Sequence, residues 1–245
     1  MGAVATVGVS DRVAFLRRTY GLLGIALVAF AALTAGIMRY ATGTSIRFSS
    51  WAWQGGLNWL LVIGLFMLVG YIAQGLARSP TSRGLQIAGL GLAVVAQSAI
   101  MQPLLWTLII RFGNRMDLQN GILLSGSVSK ILGQAVITTL AIFIGLTATV
   151  FISRKDFSFM RGMLTVGMFA ALGVIIASMA FGFSLGAFFC GAMVLLMAGY
   201  ILYQTSLVMN AFPPTAWVAA SLMLFSTIAT LFWYVLQLLM SLNRR

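Results

Sequence analysis

The polar and apolar positions of this chain fall into long blocks rather than the short alternations of a soluble domain. From Gly162 to Asn243 no Asp, Glu, Lys, Arg or His interrupts the pattern, and Gln204, Thr205, Ser226, Thr227, Thr230 and Gln237 are the main polar side chains. A stretch of that length without a charge has no soluble face, so it lies in lipid or is wrapped by elements that do. Counting apolar runs of about 20 residues predicts seven membrane-spanning helices, at about 19–38, 57–77, 84–110, 131–152, 159–181, 185–209 and 215–240. The fold class is an all-α membrane protein, with an amphipathic lead-in over 1–18 and a single transmembrane domain over 19–245.

The breaks between runs support this division. Arg39 and Tyr40 end the first span, and Arg47, Trp51 and Trp53 form an aromatic linker suited to the membrane interface. Arg78, Ser79, Pro80 and Arg83 make a tight basic turn in which Pro80 blocks helix continuation. Pro103 predicts a kink in the third span. A loop from Arg111 to Lys130 carries Arg115, Asp117 and a Gly/Ser-rich run; Asp156 in the next turn is placed to cap the fifth span at its positive end. Pro213 and Pro214 punctuate the last hairpin, and Gly182 and Gly186 stand at small-xxx-small spacing.

Composition sharpens the class. The chain has 245 residues, of which 61% are hydrophobic and 7% charged, against roughly 25% charged in soluble domains. Its net charge of +12 would suggest nucleic acid in a soluble protein. Here the basic residues flank apolar runs, where they meet lipid headgroups, so a nucleic-acid partner is excluded. There is no His and no Glu, and the only acids are Asp11, Asp117 and Asp156. Cys190 stands alone in an apolar run, which leaves no disulfide framework and no thiol metal cluster. Residues 1–10 lack the basic and apolar regions of a signal peptide, so the first span serves as its own insertion signal. With seven crossings the two faces carry eight and seven basic residues; a re-entrant last hairpin would give ten and five. Either count favours a cytoplasmic N-terminus.

Four stretches carry a family resemblance. Phe15-Leu-Arg-Arg-Thr-Tyr-Gly-Leu-Leu23 leads into the first span, and Gly145 to Phe159 ends the fourth in a basic-Asp-Phe-Ser turn. Gly199-Tyr-Ile-Leu-Tyr-Gln-Thr205 lies in the sixth, and Leu231-Phe-Trp-Tyr-Val-Leu-Gln-Leu-Leu239 ends the last. In order and spacing the set resembles the Bax inhibitor-1 family. That resemblance implies six helices around a central C-terminal helix. It also implies a proton-sensitive calcium leak, a cell-survival role or, in bacteria, modulation of a membrane-anchored protease. The family's calcium role rests on two facing aspartates, one in the sixth span and one in the last. The resemblance puts Gln204 and Thr227 at those places, and Gln97 where the family often has a glutamate.

Two close carboxylates share a proton and attract a divalent cation once both ionise. Gln and Thr do neither, so Gln204, Thr227 and Gln97 are degenerate sensor positions, and a Gln204–Thr227 hydrogen bond would be worth about 1 kcal/mol. The expected function is a non-catalytic membrane protein, a modulator or accessory subunit of a larger membrane assembly. Its partners are the lipid bilayer and a protein in the same membrane, with no cofactor and no metal. The compact chain fits a bacterial inner membrane. The alternative is a pH-independent cation (calcium) leak channel, for which Gln102, Gln134, Thr205 and Thr230, with the three sensor positions, would line a polar path. An enzyme is disfavoured, because no Ser/His pair, paired acid or metal site can be assembled.

Overall fold

The computed structural model describes residues 8–79, 82–114 and 123–243. Among them the chain forms eight helices and no strand: α1 Val9–Tyr40, α2 Thr42–Trp53, α3 Gly56–Ala77, α4 Arg83–Phe112, α5 Gly126–Ser153, α6 Met160–Phe181, α7 Ala187–Asn210 and α8 Trp217–Leu242. All but α2 are long and apolar enough to cross a membrane, so the protein is a seven-helix membrane bundle. Pro80, Arg115, Asp117, Arg244 and Arg245 lie outside the described residues.

α8 lies at the centre and packs against α1, α3, α4, α5 and α7. It is not alone there. α4 is at least as buried, with Met101, Gln102, Leu104 and Leu108 almost fully enclosed. The three least hydropathic spans, α4, α7 and α8, are the three most buried, and the four most hydropathic form the outside. Lipid explains the inversion: a hydrocarbon solvent rewards apolar surface that faces outward, and polar side chains find partners only between helices.

Several boundaries differ from those expected. The lead-in is not a separate element, because α1 runs unbroken from Val9 through the first span. The aromatic linker after it is itself a helix, α2, held by backbone hydrogen bonds from its first turn. α4 continues as one helix through Pro103, whose carbonyl accepts hydrogen bonds from Thr107 Oγ1 at 2.8 Å and Trp53 Nε1 at 3.3 Å. In the last hairpin both α7 and α8 are long and apolar enough to cross in full. The first turns of α8 lie against the N-terminal half of α1, where Ser221 Oγ donates to the Thr19 carbonyl at 2.8 Å, and further along α8 Trp233 stacks on Trp59 near the start of α3.

Gly182 and Gly186 do not pack helices together. Gly182 ends α6 in the left-handed conformation at φ 73°, and Gly186 precedes α7, so both belong to a turn. The glycine that does bring backbones together is Gly89 of α4. A Cβ there would lie 2.6 Å from the Ala73 carbonyl oxygen and 2.8 Å from the Ala77 nitrogen of α3.

Around α8 the outer helices do not close. α6 packs mainly on α7 and α3 mainly on α4. The seam between α3 and α6 leaves one flank of α8 reachable from the side.

Candidate functional site

The α7–α8 pair positions the two residues singled out from sequence. Thr227 Oγ1 donates to Gln204 Oε1 at 2.8 Å, and its proton is shared with the Met223 carbonyl at 3.2 Å. Both residues are more than nine-tenths buried, with Gln204 8% and Thr227 7% exposed. They sit at the head of a cleft of about 330 Å³ in the α3–α6 seam, walled also by Gln74 and Arg78 of α3, Met168 of α6, and Tyr200 of α7. Arg78, exposed at the end of α3, is the charged group of this cleft.

A second cleft, of about 540 Å³, opens in the same seam nearer the opposite membrane face. Its walls are aromatic and aliphatic, including Trp59, Phe66, Leu172, Phe189 and Trp233, with Gln97, Ser178 and Gln237 among its few polar members. Trp53 stacks on Trp59 at 4.6 Å and Trp59 on Trp233 at 6.0 Å between ring centroids. Gln97 therefore joins the second cleft and not the Gln204–Thr227 pair. Thr230 lines both clefts, and its hydroxyl donates to the Ser226 carbonyl of its own helix at 2.8 Å.

The remaining candidates are scattered. Gln134 is on an exposed face of α5. Thr205 is fully buried, turned away from both clefts. Gln102, 1% exposed, belongs to a separate closed network. Its Oε1 accepts from Ser45 Oγ at 2.8 Å, and its Nε2 donates to the Ser98 carbonyl at 2.9 Å and the Thr34 carbonyl at 3.4 Å. Trp106 Nε1 donates to Ser45 Oγ at 2.7 Å, so the network clamps α1, α2 and α4 together. Sequence reasoning missed Ser45, Trp106 and the cleft role of Arg78. The pairing of Ser45 with Gln102 spans 57 positions, and no local pattern announces it.

Asp156 is not the N-cap of α6, which starts at Met160 with Phe159 in that position. Its carboxylate accepts from the Ser158 N–H and hydroxyl, each at 2.9 Å, and from Ser206 Oγ of α7 at 3.2 Å. Ser206 Oγ in turn accepts the Phe157 N–H at 3.0 Å. The donors, Ser158 first, hold the Asp156 carboxyl below its ordinary value of 3.8. The basic-Asp-Phe-Ser turn is thus tied to the residue that follows the Gly199–Thr205 stretch. Cys190 is buried, its thiol 3.7 Å from Gln237 Oε1. Among the described residues no three His, Cys, Asp or Glu side chains gather as a metal site.

These features define a polytopic membrane protein whose inner helices meet through neutral hydrogen bonds. A family model described as "Inhibitor of apoptosis-promoting Bax1" matches residues 12–244, and the chain belongs to the Bax inhibitor-1 family. Bax inhibitor 1 of Schizosaccharomyces pombe is 27% identical over 241 residues, covering 96% of this chain and 79% of that protein. A Golgi anti-apoptotic protein of vaccinia virus is 28% identical over 254 residues, covering 99% and 92%. Protein lifeguard 4 of Mus musculus is 32% identical over 120 residues, covering 46% and 48%. No solved structure matches the chain.

Proposed function

We propose that this chain is a non-catalytic member of its family, a modulator or accessory subunit of a membrane assembly, with no titratable calcium or proton sensor. The observation that carries the reading is the 2.8 Å hydrogen bond between Thr227 and Gln204, a neutral bond between two central helices. No pH between 2 and 12 charges either partner, so proton binding cannot open this contact. The cleft beside it presents Arg78, and a hard divalent cation wants charged oxygen ligands rather than a guanidinium. The likeness to proteins named as anti-apoptotic supports a regulatory role. In this reading the N-terminus is cytoplasmic, on the face that gathers Arg12, Arg17, Arg18, Arg78, Arg83, Arg154, Lys155 and Arg161, and the membrane is a bacterial inner membrane.

Calcium flux into liposomes tests the sensor part. The native chain is expected to match empty liposomes at every pH, and the Gln204→Asp/Thr227→Asp double variant to gain a pH-dependent flux. Equal flux in both would overturn the reading. Purification at native expression in a mild detergent tests the partner part: a second chain is expected, and a lone monodisperse monomer counts against it.

The leak reading draws on one feature, that the two clefts approach from opposite faces and share Thr230. It requires ions to pass a threonine whose hydroxyl is already bonded to its own helix.

A further inference from the structure

We propose that the seam between α3 and α6 binds one anionic phospholipid from the leaflet on the N-terminal side. Its phosphate sits at Arg78, and one acyl chain lies along α8 toward Trp59 and Trp233. Charge complementarity selects the headgroup. The lower cleft offers the Arg78 guanidinium and the amides of Gln74 and Gln204. No acid opposes them: of the described acids, Asp11 lies at the start of α1 and Asp156 is bonded to Ser158 and Ser206. A guanidinium at a helix end, facing an opening to the bilayer, suits a phosphodiester at headgroup depth.

Dimensions and lining select the tail. The seam is floored by α8 from Ala219 to Gln237, about 27 Å at 1.5 Å per residue. An acyl chain occupies about half of a hydrocarbon core of roughly 30 Å, so the seam accommodates its full length. The upper cleft is mostly apolar, and the stacked Trp53, Trp59 and Trp233 form an aromatic part of its wall. A partner's transmembrane helix could lie over the seam but not enter it. A bare helix of that length with short side chains fills about 2,100 Å³, whereas the clefts hold about 330 and 540 Å³. At the cleft itself Gln204, Thr227 and Thr230 already have hydrogen-bond partners within the bundle, so the lipid would be a seated ligand and not a structural filler.

Tryptophan quenching tests this on the full chain in nanodiscs of phosphatidylcholine. Phosphatidylglycerol with brominated acyl chains, a contact quencher, is added in rising fractions. Expected is a quenching component that saturates while phosphatidylcholine still dominates, and that Trp59→Phe removes in part. Arg78→Gln should raise its midpoint by about fivefold. Leu172→Phe, which fills the upper cleft from α6, should shrink its amplitude. Arg39→Gln, on the opposite face, should leave both unchanged. Quenching that rises linearly, or equally with brominated phosphatidylcholine, overturns the proposal, as does indifference to both Arg78→Gln and Leu172→Phe. Loss of the component on adding inorganic phosphate would make Arg78 a free-phosphate site and overturn the lipid assignment. A co-purifying chain that protects Trp59 would do the same in favour of a protein occupant.

Discussion

α4 and α6 are both apolar spans, and α6 is the more hydropathic of the two, yet they occupy opposite situations. α4 buries most of its length and touches α1, α2, α3, α5 and α8, whereas α6 buries only Leu164 and Ala171 and leans mainly on α7. The difference lies in the side chains that lipid cannot accept. α4 carries Gln97, Ser98 and Gln102 on its inner face, and α6 leaves Met163, Val166, Phe169 and Ile176 exposed. In water the more apolar helix would be the core. In a bilayer the hydrophobic term no longer distinguishes inside from outside, and close backbone packing and hydrogen bonds decide.

The largest test of this contrast sets two glycines against each other. Gly89→Ala drives a methyl into the α3 backbone at Ala73, which cannot rotate away. It should cost at least about 2 kcal/mol, read as a shift in the midpoint of denaturation from mixed micelles. Gly167→Ala on α6 meets only Leu196 Cδ1, the free end of a flexible side chain, at 2.8 Å. It should fall within about 0.5 kcal/mol of the native chain. Equal losses would mean that α6 is held as firmly as α4.

The second test asks whether the buried amides are worth what their surroundings imply. Gln102→Leu leaves the Ser45 hydroxyl without its acceptor in an enclosed site, which should cost about 2 kcal/mol. Gln204→Leu should cost less, about 0.5–1 kcal/mol, because Thr227 keeps the Met223 carbonyl as a fallback. A larger loss at Gln204 than at Gln102 would reverse the ranking and make the α7–α8 contact the principal clamp.

The seven spans were legible because bilayer thickness imposes a minimum apolar length on every crossing, and the boundaries of α3 and α6 fall within a residue of expectation. The Gln204–Thr227 contact was legible only through the resemblance, since 23 positions and a hairpin separate the pair. Three things were not. α2 read as an interfacial linker on Arg47, Trp51 and Trp53, and the burial of its Ser45 and Ser49, in a helix packed on α4, depends on a tertiary surface. Arg78 read as a surface charge, and only the open seam makes it a cleft residue. The shared centre of α4 and α8 was hidden because apolar counts rank spans in the wrong order for a bundle in lipid.

The smallest effect concerns how the loosely held α6 is anchored at its start. Asp156 keeps its carboxylate charged through the Ser158 donors, and Ser206 links that turn to α7. A carboxyl depressed in the folded state contributes stability above its ordinary value of 3.8, and loses it as pH falls through the lower folded value. The native chain should therefore weaken slightly in strong acid, and Asp156→Asn should flatten that limb while leaving neutral stability almost unchanged, because the group is exposed and screened. Ser206→Ala separates the two roles of the turn. It removes both the Asp156 contact and the acceptor of the Phe157 N–H, so it should increase hydrogen exchange at the start of α6 even at neutral pH, while exchange in α4 stays unchanged. If exchange rose in both helices together, α6 would be coupled to the centre through this turn, and the division into a clamped core and a leaning outer helix would fail.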